Sequence, residues 1–417
     1  MILVIVQPEF SWNYFNKYDL ILIPYFENLV QMPVISRLPF SRNEVAQNIL
    51  NPIEIACYSR TSNDEIIVDS DQNLRYYYFP DELLDNQLSL SAGRGNFKDS
   101  RSEMKDVCSM DGLLKSIQDI EMKKGSRLKV NIITFRGIFR KLISAAFENS
   151  RFQEPLDLRV VLFDDQIFIK EIAKKDTYEQ GTIDLNTFSG YKFETLATTN
   201  RPVNSCTREE IESRHLETVG NGDEFVTVVG TGIGSHRLIL GAEVDAIFDY
   251  KDTESQRKNI SHYCELKCSK GIYNERDAQN FANKLFRTWL QCFLIGIPRI
   301  IYGFRDENFK LATIEEYSLE NIVPMLQRYN PQIAENCAEA IGWYYKIVDW
   351  LLTIQNRYSQ KISRDTVVPF KLTCKDQELQ MIDILSGDNE YEEIVNNEMV
   401  LSNQFKEWRR SLHQDKD

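Results

Sequence analysis

The sequence has no C-x-x-C pair, although it carries eight cysteines, at 57, 108, 206, 264, 268, 292, 337 and 374. A zinc ribbon is thereby excluded. Several of these cysteines sit in apolar runs, as Cys292 does in LQCFLIG, and read as reduced core thiols in a reducing compartment. Long apolar runs are also missing: no stretch reaches the ~18–20 residues of a membrane span. Met1–Val6 is apolar, but too short for a signal h-region and without a basic n-region. The expectation is a soluble intracellular protein that contacts no membrane. Basic charge is scarce. Against 49 Lys and Arg stand 62 Asp and Glu, a net charge of −13. A nucleic-acid coat held by charge alone needs a basic face, so any RNA must be gripped in a local cleft, with cations offsetting carboxylates. The small basic clusters, Lys123-Lys124 with Arg127 and Lys129, and Arg409-Arg410, read as solvated surface. The four histidines form no ligand spacing. Repeats and low-complexity linkers are absent as well.

What is present is ample apolar content, 42%, with 23 Phe and 19 Tyr. Residues 1–50 alternate aromatic and apolar patches between prolines and read as a peripheral N-terminal extension. Residues 51–417 read as one catalytic domain that includes a C-terminal helix. Asp111 reads as the cap of a short helix GLLKSIQDI, and Phe135–Phe147 shows helical spacing. Asp157–Ile172 is two β-rich runs around Asp164-Asp165, a hairpin signal. Thr207 with Glu210 is a capping box. Phe225–Tyr250 gives two strands around GTGIG, and Ser261–Cys268 another. GTGIG is followed by a strand pattern, not by the helix that a phosphate loop requires, so it reads as a turn. Helices are expected near 276–294, 334–355 and 404–412, with a strand at 299–304. Strands and helices intersperse without regular βαβ alternation, which predicts an α+β, or mixed α/β, fold.

Two strands carry the chemistry. In GAEVDAIF, alternation puts Glu243 and Asp245 on one face, with Val244, Ala246 and Phe248 opposite. In HYCELKCS it puts Glu265 and Lys267 together, with Cys264, Leu266 and Cys268 behind. One such pair alone is explained by a solvent-facing edge. Two on neighbouring strands favour a metal site, because acids and lysines are rarely buried without partners. Clustered carboxylates suit Mg²⁺ or Mn²⁺, and two such ions can activate water and neutralise a phosphate transition state. An Asp followed about twenty residues later by Glu-x-Lys is the arrangement of PD-(D/E)xK nucleases.

The chain resembles the DXO/Rai family of RNA 5′-end decapping and quality-control hydrolases. The resemblance rests on FRG at Phe135–Gly137, GYKFE at Gly190–Glu194, EVD at Glu243–Asp245 and ELK at Glu265–Lys267. It continues in KLFRTWLQCFLIGIP at Lys284–Pro298 and GFRD at Gly303–Asp306. YSRT near 58, LRYYYFPD near 74, ITFRGIFRKLIS near 133 and LSNQFKEWRRSL near the C-terminus resemble the fungal nuclear member that partners a 5′→3′ exoribonuclease. The resemblance spans about residues 52–412 and implies two mixed β-sheets flanked by helices, with an open-ended pocket between the sheets.

It also implies roles. Glu194, Asp245 and Glu265 match metal-ligand carboxylates, with the Leu266 carbonyl as a further ligand. Glu243 matches an acid that reaches the metals directly or through water. Lys267 and Gln291 match residues near the scissile phosphate and its attacking water, and Arg136 matches a phosphate-contacting arginine. Lys284 and Gln291 share a helix face, while Lys284 and Arg305 read first as surface or salt-bridge residues. The implied activity is metal-dependent phosphodiester and phosphoanhydride hydrolysis, as a decapping nuclease and 5′-triphosphate pyrophosphohydrolase. Incompletely methylated caps, triphosphates or NAD-type caps would leave a 5′-monophosphate RNA for a Rat/Xrn-class 5′→3′ exoribonuclease in the nucleus. The rival reading is a non-catalytic subunit that stabilises that exoribonuclease.

Overall fold

A computed structural model describes residues 33–148, 154–173, 183–252 and 256–414. The first 32 residues of the expected extension lie outside the described residues. Residues 33–50, read from sequence as part of that extension, belong to the body. Val34–Pro39 pairs antiparallel with Glu378–Asp383, and Ile49–Arg60 pairs with Glu224–Ile233. A compact unit accordingly runs from Pro33, and the boundary expected at 50 falls inside a strand.

Two mixed sheets dominate. From edge to edge, the ten-stranded sheet runs Val34–Pro39, Glu378–Asp383, Val368–Lys375, Asp157–Phe163, Gln166–Glu171, Ile132–Phe135, His236–Glu243, Glu224–Ile233, Ile49–Arg60 and Ile66–Val68. The six-stranded sheet runs Leu311–Ser318, Arg299–Arg305, Tyr263–Lys270, Ala246–Ile247, Tyr76–Tyr77 and Thr198–Thr199. Each combines parallel and antiparallel pairings, as a mixed α/β fold requires. One apolar cluster joins them, taking Leu238 and Leu240 from the large sheet, Ile300 and Tyr302 from the small one, and Trp289 and Trp343 from helices. No described helix is long and apolar enough to cross a membrane.

Local rules account for most elements. Phe163 pairs with Gln166 across Asp164-Asp165, whose φ values of 51° and 53° are those of a type I′ hairpin turn. The Thr207–Glu210 capping box opens the helix Arg208–Glu212. Asp111 is the first residue of the helix Asp111–Lys124 and makes no capping bond, although an acid in the first turn still complements the dipole. Most of GTGIG lies within the strand Glu224–Ile233. The two-residue turn is Gly234-Ser235, with Ile233 facing His236. The helix Leu185–Ala197, capped by Asp184 through the Thr187 N–H at 3.0 Å, was not legible, because its apolar residues surround it without a clean stripe.

The Arg409-Arg410 expectation is corrected by burial. Arg409 is fully buried, donating to Glu121, Asp164 and Gln166 from the helix Asn403–Gln414. The partners come from distant parts of the chain, so spacing gave no sign of them.

Candidate active site

The strand that carries Glu243 does not continue as one pleated run. His236–Glu243 ends in the large sheet, and Ala246–Ile247 begins in the small one. Glu243 and Asp245 therefore stand where the chain steps between sheets, a site fixed by topology rather than by alternation alone. The Val244 N–H is taken by the Phe225 carbonyl at 3.0 Å, and Val244 and Ala246 are buried as expected.

Two close approaches bring the other motifs to this step. Ile132–Phe135 runs parallel to Leu238–Gly241, with Phe135 opposite Gly241. A Cβ at Gly241 would stand 2.8 Å from the Phe135 ring, so glycine is required there. That register starts the helix Arg136–Ser144 beside Glu243, and Arg136 Nη2 donates to the Glu243 carbonyl at 3.2 Å. At Gly303 a Cβ would meet the Phe193 ring at 2.5 Å. The helix bearing Glu194 can thus settle against the strand Arg299–Arg305.

Alternation holds on Tyr263–Lys270. Cys264 and Leu266 enter an apolar cluster with Phe193 and Ile301, while Glu265 and Lys267 point the other way. Glu265 is 1% exposed and carries three partners. Arg136 Nη1 donates to it at 3.1 Å and Gln291 Nε2 at 2.6 Å, and Lys267 Nζ pairs with it. Burial alone would push its carboxyl up. Lys267 and Arg136 outweigh burial and hold it below the usual range. Lys284, seven residues before Gln291, donates to Ser269 Oγ at 3.1 Å, so both follow the strand along one helix face as the spacing requires. Arg305 reaches Asn186 Oδ1 at 2.6 Å, a structural contact.

Asp245 and Glu194 are the acids whose charge the cluster compensates least. Asp245 accepts from the Leu266 N–H at 2.7 Å, yet burial and the neighbouring Glu265 push it to about 7. Burial and Asp245 push Glu194 to about 8. Lys267 Nζ stands 3.8 Å from Asp245 Oδ2 and 3.1 Å from the Leu266 carbonyl oxygen, besides its pairing with Glu265. One positive charge thus already sits among three hard oxygen donors. Excess negative charge and an all-oxygen donor set are what a divalent cation of the Mg²⁺ or Mn²⁺ kind requires. Among the described residues no three carboxylate, cysteine or histidine side chains are already closed around one point. The lysine lies between them and Glu265 is tied to its partners, so cation entry needs the Lys267 head to move aside.

Two features of the site lie beyond the sequence reading. Arg136 is only 6% exposed and both Nη atoms are engaged, which makes it a positioning residue for Glu265. The expected phosphate contact would fall to its remaining N–H donors. Arg101 and Glu224 were missed altogether. Arg101 Nη2 reaches Glu224 at 2.6 Å and Glu243 at 3.1 Å, and burial with Glu243 raises Glu224 to about 6. Glu224 opens a strand like any solvent-facing acid, and Arg101 lies in a single 3-10 turn, Ser100–Glu103, so neither carried a signal.

A comparison with family models matches residues 50–406 to the RAI1-like PD-(D/E)XK nucleases. The chain belongs to this family. It is 47% identical over 371 residues to the decapping nuclease RAI1 of Saccharomyces cerevisiae, covering 87% of this chain and 95% of that protein. The fold resembles the crystal structure of Candida albicans Rai1 in complex with pU5 and Mn²⁺, with TM-score 0.78 and 32% identity over 90% of this chain and 100% of that one. It also resembles Scheffersomyces stipitis Rai1 in complex with (3′-NADP)⁺ and calcium, with TM-score 0.75 and 30% identity over 89% and 99%.

Proton competition gives a direct check on the acidic cluster. Below about 7 and 8 respectively, Asp245 and Glu194 hold protons in the metal-free protein, and an incoming cation must expel them. Apparent Mn²⁺ affinity is expected to rise by about tenfold or more between pH 6 and pH 8, then level off. Thermal shift against Mn²⁺ concentration at each pH measures it; affinity flat across that window would place the ion elsewhere.

Proposed function

We propose that the protein hydrolyses RNA 5′ ends in the nucleus, removing incompletely methylated caps, and pyrophosphate or NAD-type ends, to leave 5′-monophosphate RNA. The observation that carries this reading is the cluster of half-buried Glu194 and Asp245 with buried Glu265 around Lys267, in a chain of this nuclease family. The relatives support it: one is a decapping nuclease, another was crystallised with pU5 and Mn²⁺, and a third with (3′-NADP)⁺. Two Mg²⁺ or Mn²⁺ ions held by Glu194, Glu243, Asp245, Glu265 and the Leu266 carbonyl would supply Lewis-acid activation of water and charge neutralisation at phosphorus.

The chain's own residues do the rest. Lys267 is 32% exposed along its side chain, so its ammonium can turn from the carboxylates toward a phosphate oxygen. Gln291, which donates to Glu265 Oε1, offers its amide oxygen to orient a water. Arg136 keeps Glu265 ionised and fixed in orientation. Low exposure around Glu265 excludes bulk solvent, which strengthens each of these interactions. Net acidity away from the cluster limits grip on the rest of the transcript. The product end suits a 5′→3′ exoribonuclease of the Rat/Xrn class, which makes such an enzyme the expected partner.

A panel of capped, unmethylated-capped, triphosphorylated and NAD-capped RNAs, with products identified, tests the activity. The Asp245→Ala, Glu265→Ala double variant is expected to lose all hydrolysis. If it instead works at wild-type rate, the catalytic reading fails. Loss of hydrolysis with retained stimulation of an exoribonuclease would establish a supporting role alongside catalysis.

A further inference from the structure

Glu243 ends the strand His236–Glu243 opposite Val226. Glu224, two residues before Val226 on the neighbouring strand, therefore lies diagonally across the same sheet face. Two carboxylates so placed repel each other. Arg101 joins them: its Nη2 donates to Glu224 Oε1 at 2.6 Å and to Glu243 Oε2 at 3.1 Å. Among the described residues no other group donates to the Glu243 side chain, which is 47% exposed. A glutamate that exposed and unheld turns freely through its rotamers. Here one guanidinium nitrogen settles Oε2 and leaves Oε1 without a protein donor.

The guanidinium is not used as a structural lock would use it. Arg409, fully buried, gives each of Nε, Nη1 and Nη2 an acceptor. Arg101 places both acids on Nη2, while Nε is buried without a partner and Nη1 has none among the described residues. A two-pronged pair with Glu224 alone would satisfy two nitrogens and hold more strongly. That bond is forgone for the reach to Glu243. The segment that carries Arg101 is anchored at both ends. Phe97 packs on Phe188 and Tyr191, at 6.0 and 5.6 Å between ring centres, on the helix that bears Glu194. Lys98-Asp99 pairs in parallel with Gly220-Asn221. Asn221 Oδ1 accepts from the Arg101 N–H at 2.9 Å, and its Nδ2 donates to Asp99 Oδ1 at 2.8 Å. Gly222, at φ 101°, lets the two segments meet, since a Cβ there would stand 2.9 Å from that of Ser100.

We propose that Arg101, held in place by Asn221, is a positioning residue that acts through Glu243, whose carboxylate it fixes for the divalent cation. The inference rests on the metal-dependent reading above. A double-mutant cycle in the full chain, read as hydrolysis and as Mn²⁺ binding by electron paramagnetic resonance, tests it. Arg101→Ala is expected to lower kcat, and to weaken Mn²⁺ binding, by about tenfold each, with KM for RNA little changed. In a Glu243→Ala background the same change is expected to have no further effect, because the carboxylate it positions is gone. Guanidinium ion at a non-denaturing concentration should restore part of the loss in Arg101→Ala, and tetramethylammonium should not. Asn221→Ala removes no charge, and should shift both readings in the same direction by a smaller factor.

Wild-type kcat in Arg101→Ala would overturn the proposal. So would tighter Mn²⁺ binding in that variant, the mark of a guanidinium that merely repels the cation. An equal further loss in the Glu243→Ala background would place its action elsewhere and overturn it as well. Should Arg101→Ala fail to fold, Asn221→Ala decides, and unchanged kcat and Mn²⁺ binding there would overturn the proposal. If the wild type hydrolyses no RNA 5′ end, the RNA reading fails, while the Mn²⁺ arm of the cycle still decides for Arg101.

Discussion

Glu194→Gln is expected to lower hydrolysis on the order of a thousandfold or more while making the metal-free protein more stable at pH 8. The two effects have one cause. Glu194 has no cationic partner within ion-pair distance among the described residues, and burial followed by Asp245 pushes its carboxyl to about 8. Its folded pKa therefore lies above the unfolded value of 4.5. As pH rises past the unfolded value, the unfolded chain releases its proton and the folded chain does not, so stability falls until the folded pKa is passed. Unfolding without divalent cation should show wild type losing on the order of a few kcal/mol between pH 5 and pH 8. Glutamine has nothing to ionise, so the variant should lose markedly less. Adding Mn²⁺ should reverse the ranking, stabilising wild type more than Glu194→Gln. A variant that keeps its hydrolysis, or whose metal-free stability follows the wild-type pH curve, would remove Glu194 from the site. Stability given up for a charge cluster marks a functional rather than a structural arrangement.

The cluster was legible in the sequence to the extent that it depends on period two. Glu265 and Lys267 share a face because the strand that carries them is regular from Tyr263 to Lys270. The hairpin at Asp164-Asp165 and the capping box at Thr207 were legible for the same reason, being rules about neighbours in the chain. Glu243 and Asp245 come together by a different route, since the chain changes sheets between them, and no local pattern encodes such a step. Glu194 entered through the family motif GYKFE; its helix has too diffuse an apolar face for periodicity to find. Arg101 and Glu224 were missed because a long-range ion pair leaves no spacing in sequence. The same limit hid residues 33–50 in the body, where Val34–Pro39 pairs with a strand more than 300 positions away.

That limit bears most heavily on Arg409, where substitution should have the largest effect on stability. Sequence reading placed it on a solvated face, for which a change within about 0.5 kcal/mol is usual. The structure holds it fully buried. Nε and Nη2 form a two-pronged bond to Glu121 at 2.7 and 2.8 Å, and Nη1 reaches Asp164 Oδ2 at 2.9 Å and Gln166 Oε1 at 2.8 Å. Glu121 is itself 0% exposed. After Arg409→Ala it would keep the Leu128 N–H at 2.8 Å and Trp408 Nε1 at 3.3 Å, but no cation. Stranding a buried carboxylate in this way costs about 3–5 kcal/mol, and packing against the Phe405 ring, 4.7 Å from the guanidinium, is lost as well. With roughly 2–4 °C per kcal/mol for chains of this size or somewhat smaller, calorimetry should show Tm falling by roughly 10 °C.

Salt should leave most of that loss in place, because the pair is shielded from solvent. The double variant Glu121→Met, Arg409→Leu should recover much of it, since an apolar replacement of a buried pair is close to neutral. Asp164 retains Arg127 at 3.1 Å in either case. Hydrolysis per folded molecule should not change, because this lock belongs to the apolar cluster around Phe168 and Phe405, apart from the residues that hold Glu265. A Tm change below about 1–2 °C for Arg409→Ala would return the residue to the surface. The C-terminal helix would then be anchored by Phe405 and its apolar neighbours alone.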